Sequence, residues 1–235
     1  MTEPTPQELN EKGVRRLGLG AALGLAAAIL ALILPLTFFL LSTYAPGGFF
    51  TYNATLLQAT SVLILAGAIL FLLSLFVYRR SFAALRKVDP RFVAASVLCI
   101  IGSLGFLLVV VAAAFLLGSS SSVTSCLSGA PSKALSCIRS QTPLGAYTGI
   151  IGFWLGWLGG VGIFVGLSYA GSHFHERLYT AGAVFYGLLL VLLIGPFIYL
   201  LVSFPGIQYL VFDGPVLAVV APAIVLAAAT RRRPT

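Results

Sequence analysis

No residue between Ala146 and Ala170 carries a formal charge, and this stretch of 25 residues holds seven glycines and both tryptophans of the protein. As a helix rising about 1.5 Å per residue it is long enough to cross a hydrocarbon layer of about 30 Å. A soluble domain has no comparable use for such an element. The rest of the chain agrees, because only 9% of the 235 residues are charged and 59% are hydrophobic, whereas soluble domains are about 25% charged.

Five further apolar runs flank the glycine-rich one. The first covers residues 14–41, the second 55–78 and the third 92–117. The fifth covers 179–203, and the sixth starts either at Gln208 or after Asp213-Gly214-Pro215 and stops at Arg231-Arg232-Arg233. The expected fold is an all-α integral membrane bundle of six spans over residues 14–230, with a polar segment 1–13 before it and a basic tail 231–235 after it. The first run is too long for a cleavable signal core, so it is expected to stay as a span. Thr5-Pro6-Gln7-Glu8 has the form of a capping box with proline at the first helical position, and Gly13 marks an expected bend before the first span. Arg79 and Arg80 are expected to end the second span. Phe82, Leu85 and Val88 then recur at helical spacing in a short amphipathic turn on the membrane surface.

Charge fixes the expected orientation. Twelve basic residues fall before or at the very start of span one, between spans two and three, between four and five, and after six, while only Lys133 and Arg139 fall on the opposite side. The positive-inside rule therefore puts both termini in the cytoplasm. Cys126 and Cys137 then share the longest external loop, in the compartment where disulfides persist, and are expected to pair. Asn53-Ala54-Thr55 is a candidate glycosylation acceptor in the short external loop. Cys99 reads as a small core residue, and Ser96 and Ser103 beside it as packing residues.

In the glycine-rich run, Gly145, Gly149, Gly152, Gly156, Gly159 and, after a break at Ile163, Gly166 form one seam at steps of four and three. Small residues at this spacing let a neighbouring helix come close, and in lipid that contact replaces the missing hydrophobic drive. A second seam, Tyr147, Ile150, Trp154, Trp157, Val161 and Phe164, runs on roughly the opposite side. Trp154 and Trp157 fall well inside the span, so their indole N–H groups need acceptors. Carbonyls freed by Pro35, Pro196 or Pro222 are candidates. These rings either pack against helices or, with Gln58, line an apolar pocket.

Deep in the spans there is no Asp, Glu, Lys, Arg or His, the residues on which proton and transport chemistry in membranes depends. Asp213 fits an N-cap of the last helix. His173 and His175, the two histidines, lie in one turn with Glu176 and lack further ligands for a metal or haem. No cofactor and no catalytic residue is expected, and nothing outside the spans resembles a nucleic-acid-binding stripe.

Gly166-Leu-Ser-Tyr-Ala-Gly171, Tyr179-Thr-Ala-Gly182-Ala-Val-Phe-Tyr186 and Ile194-Gly-Pro196-Phe resemble the C-terminal half of an uncharacterised archaeal family of multi-pass membrane proteins, called domain of unknown function 973. Gly13-Val-Arg-Arg-Leu-Gly18 resembles its N-terminal entry. The resemblance implies a membrane class and an archaeal source, and no site. Together these features lead to the expectation of a non-enzymatic membrane component that packs against other membrane subunits or copies of itself in the bilayer. The alternative is a small-solute binding or transport subunit built around Trp154 and Trp157.

Overall fold

The computed structural model describes residues 5–41, 43–44, 50–51, 54–119, 136–137, 139–202 and 210–231, with side chains outside 31–61, 64, 116–117, 193–202 and 210–216. Six long helices make up nearly all of it: α1 (Pro6–Leu41), α2 (Ala54–Leu85), α3 (Phe92–Gly118), α4 (Pro143–Phe174), α5 (Arg177–Val202) and α6 (Leu210–Arg231). A two-residue antiparallel pairing of β1 (Thr43–Tyr44) with β2 (Phe50–Thr51) joins α1 to α2. Four stretches are long and apolar enough to cross a membrane: Pro6–Leu30, Leu65–Leu85, Phe92–Phe115 and Pro143–Phe174. The chain is thus a helical, membrane-embedded protein.

Each helix packs on its neighbours in sequence, and α6 closes the circle on α1. The ring is filled at its basic end, where Leu17, Leu75, Tyr78, Phe82, Phe92, Ile163, Leu167, Tyr179 and Val225 have no exposed surface. The helix ends follow local chemistry. Thr5 N–H donates to Glu8 Oε2 (2.9 Å) and Glu8 N–H to Thr5 Oγ1 (3.3 Å), the reciprocal bonds of the capping box. Pro90 cannot extend α2, and the chain turns there into α3. Pro143 begins α4, and His175, in the left-handed backbone region at φ 52°, ends it, with the Glu176 N–H returning to the Gly171 carbonyl (3.1 Å).

Four expectations are corrected. Gly13 makes no break, since α1 is one helix from Pro6 to Leu41; a Cβ at Gly13 would lie 2.6 Å from Leu85 Cδ2, so glycine there admits a side chain of α2. Arg79 and Arg80 do not end α2, which continues to Leu85, because arginine is a good helix former and ends nothing by its charge alone. Phe82 and Leu85 are accordingly buried in the bundle rather than laid on a membrane surface. Asp213 lies inside the first turn of α6 instead of capping it from outside.

The closest approach is between α3 and α4. A Cβ at Gly102 would collide with the Gly159 backbone, and one at Gly105 with the Gly156 amide. A Cβ at Gly152 would lie 2.8 Å from the Gly105 carbonyl, and one at Gly162 2.8 Å from Leu98 Cβ. Gly166 makes room for the Phe82 ring of α2, and Gly149 sits in ordinary contact with Ala112 (3.5 Å). Gly145 is buried near the start of α4. Between α1 and α2 the glue is polar: Ser74 Oγ donates to the Gly20 carbonyl and Ser81 Oγ to the Gly13 carbonyl, both at 2.7 Å. Both serines and both glycines are two helical turns apart, which antiparallel helices in register require.

Replacing Gly102 or Gly105 by valine is expected to destabilise by about 1–3 kcal/mol, because backbone cannot give way as a side-chain tip can. Gly118→Val, where no atom of the described residues lies within 4 Å of the added Cβ, is expected to leave the thermal unfolding midpoint in detergent within error of the parent.

Candidate functional site

The aromatic face of α4 divides between two roles. Trp157 is half-buried, and its Nε1–H donates to the Leu190 carbonyl of α5 at 3.0 Å. The carbonyl that Pro196 frees is that of Leu192, so the acceptor lies two residues before it and offers a second lone pair. Gly160 lies beside the same contact, with Leu190 Cδ2 2.5 Å from where its Cβ would be. Trp154 turns outward and is 41% exposed, its ring edge-on to Trp157 (6.4 Å) and to Phe153 (5.8 Å). Tyr147, Ile150 and Ile151 are exposed on the same side.

At the basic end, aromatic rings from four helices make a continuous chain. Tyr78 stacks on Phe82 and Phe82 on Phe92, both at 6.0 Å. Phe92 meets Tyr169 (6.2 Å) and His173 (5.9 Å) edge-on, His173 meets Phe174 (4.8 Å), and Phe174 leans on Tyr179 (6.0 Å). Edge-to-face pairs of this kind contribute about 0.5–1.5 kcal/mol each beyond the area they bury.

His173 is where this chain meets polar groups. Its Nδ1 lies 3.6 Å from Asp89 Oδ2 in the α2–α3 turn, and its Nε2 lies 3.4 Å from Asn10 Oδ1 of α1. Asp89 Oδ1 also accepts the Arg91 backbone N–H (3.0 Å). Beside this node opens a cleft of about 450 Å³ lined by Asp89, Pro90, Arg91, Ser172, His173 and His175. Among the described residues no group of three or more His, Cys, Asp or Glu side chains is gathered that could hold a metal ion.

Of the residues singled out by sequence, Gly149, Gly152, Gly156, Gly159 and Gly166 line the face of α4 toward α3 and α2 and Gly145 is buried, while Trp154 and Trp157 lie away from that face. Gln58 belongs to α2, but its side chain falls outside the described residues, as do Asn53 and Cys126. Cys137 is not a free thiol, whereas Cys99 is free and buried. Sequence reasoning missed the grouping of Asn10 and Asp89 with His173, for which no local spacing gives a signal. It also missed Ser74 and Ser81, whose seven-residue spacing matches that of Gly13 and Gly20 and was available as one.

In comparison with known proteins, no family model matches this chain, and no curated protein or solved structure matches it significantly.

Trp157→Phe removes the bond to Leu190 and is expected to cost about 0.5–1.5 kcal/mol of stability. Trp154→Phe leaves that bond in place and is expected to cost less, with both differences read from chemical or thermal unfolding in the same detergent.

Proposed function

We propose that this chain is a non-enzymatic, six-span protein of the cell membrane that works as an accessory subunit, packing against other membrane subunits or copies of itself. The observation that carries the reading is the contrast between the two faces of α4. Its glycine face is covered by α3 and α2, while Tyr147, Ile150, Ile151 and Trp154 keep more than a third of their surface exposed. Trp154 lies eleven residues, about 16 Å, from the start of α4 and about 30 Å from its end. Measured from the His175 end, Trp154 thus comes near the opposite membrane boundary, where tryptophan ordinarily collects, and the exposed strip it forms with Tyr147, Ile150 and Ile151 is the surface a neighbouring membrane protein would meet.

Six spans are supported by the lengths of α5 and α6, 26 and 22 residues, which reach about 39 and 33 Å. An even number of spans and the concentration of basic residues beside the ends of α1, α2, α4 and α6 support cytoplasmic termini. Cys126 and Cys137 then pair in an external loop, and the motif resemblance makes an archaeal origin the fitting one. A solute pocket around the tryptophans has less support, since the Trp157 N–H is engaged by α5 and Trp154 points away from the ring.

Two measurements test this. Maleimide labelling of the denatured, unreduced protein is expected to modify one thiol, Cys99, rising to three after reduction; three before reduction would remove the disulfide from the account. Native mass spectrometry from mild detergent is expected to find the chain in a homo-oligomer or with partner subunits, and a lone monomer throughout would contradict the accessory role.

A further inference from the structure

We infer that the cleft at the basic end is a binding site for a phosphate-bearing anion, the headgroup of an anionic lipid or free phosphate, held by Arg91 and His175. Most of the groups lining the cleft are already satisfied. Asp89 is engaged by the Arg91 backbone N–H and by His173, His173 also by Asn10, and the Ser172 hydroxyl donates to the Tyr169 carbonyl at 2.9 Å. Pro90 has no N–H to offer. The Arg91 guanidinium and the His175 imidazole remain. Both residues are exposed on the cleft wall and neither side chain has an ion-pair or hydrogen-bond partner among the described residues. A guanidinium presents a planar fork of donors that matches two phosphate oxygens at once.

His175 supplies an independent observation. It is the one non-glycine residue at positive φ among the described residues, at a helix C-terminus where glycine is the default. A side chain kept in a strained backbone position points from the outlier to a role for that side chain, and the imidazole is on the cleft wall.

Position identifies the kind of anion. Arg91 directly precedes α3 and His175 directly follows α4, so the cleft opens where two spans leave the hydrocarbon, at the depth of lipid headgroups. Exposed Arg86, Lys87 and Arg177 lie within a few residues of the lining in sequence, as does Glu176, and the one carboxylate in the lining, Asp89, already faces His173. A volume of about 450 Å³ is within the usual range of small-ligand sites, about 300–1,000 Å³.

The full chain in detergent micelles, titrated with phosphatidic acid, phosphatidylcholine or inorganic phosphate and followed by native mass spectrometry and thermal shift, tests the site. Phosphatidic acid is expected to be retained and phosphatidylcholine not. Displacement by millimolar inorganic phosphate would make free phosphate the ligand, and its failure to displace would make the lipid headgroup the ligand. Arg91→Ala is expected to weaken binding about tenfold, the loss of one charge-assisted contact, with Arg91→Lys retaining part of it. His175→Gly relaxes the backbone, so it is expected to unfold no earlier than the parent while binding more weakly, which separates loss of the site from loss of the fold. Equal retention of phosphatidic acid and phosphatidylcholine with no effect of phosphate, or unchanged binding in both Arg91→Ala and His175→Gly, would overturn the assignment.

Discussion

The meeting of the α3 and α4 backbones at Gly102, Gly105, Gly156 and Gly159 is the contact on which the rest of the bundle depends. Lipid tails are as apolar as the side chains they would replace, so helices in a membrane gain little from burying apolar surface against one another. What they gain is contact, and contact is greatest where no side chain intervenes. With α4 held against α3 in this way, Gly166 faces the Phe82 ring, and Phe82 in turn stacks between Tyr78 and Phe92. The aromatic filling of the basic end is thus a consequence of the glycine contact.

The other side of the ring is held by a different interaction. Ser74 and Ser81 reach carbonyls of α1 that Gly20 and Gly13 leave open. Such bonds contribute about 0.6 kcal/mol each in membranes, less than a core substitution, yet they fix register because both must form together. On the far face of α4, Trp157 does for α5 what the serines do for α1. Three kinds of contact (backbone on backbone, hydroxyl on carbonyl and indole on carbonyl) therefore set successive parts of the ring, and α6 completes it against α1.

Much of this was legible in the residues themselves. The Thr5–Glu8 capping box appears with the bonds its spacing predicts, because a cap is a local interaction. The division of α4 into a small face and a bulky face was legible because helical period alone decides it. The identity of the partner helix was not: Gly102 and Gly105 acquire meaning only when they fall at the same depth as Gly159 and Gly156, and depth is a property of two helices together. Gly13 illustrates the converse error, since glycine in a helix reads as weakness until the Leu85 side chain that occupies its vacancy is known. The node of Asn10, Asp89 and His173 joins residues as far as 163 positions apart, and no spacing rule reaches across that distance. It forms because α1, the α2–α3 turn and the end of α4 all finish at the same level of the bundle.

Helices α3 and α4 touch through their backbones. Solid-state NMR of the labelled protein in lipid bilayers measures this directly, through the cross-peak between the Cα carbons of Gly102 and Gly159. A cross-peak building up at mixing times only slightly longer than those of sequential Cα pairs is the result expected. Its absence, in spectra where sequential contacts of both glycines are present, would contradict the account.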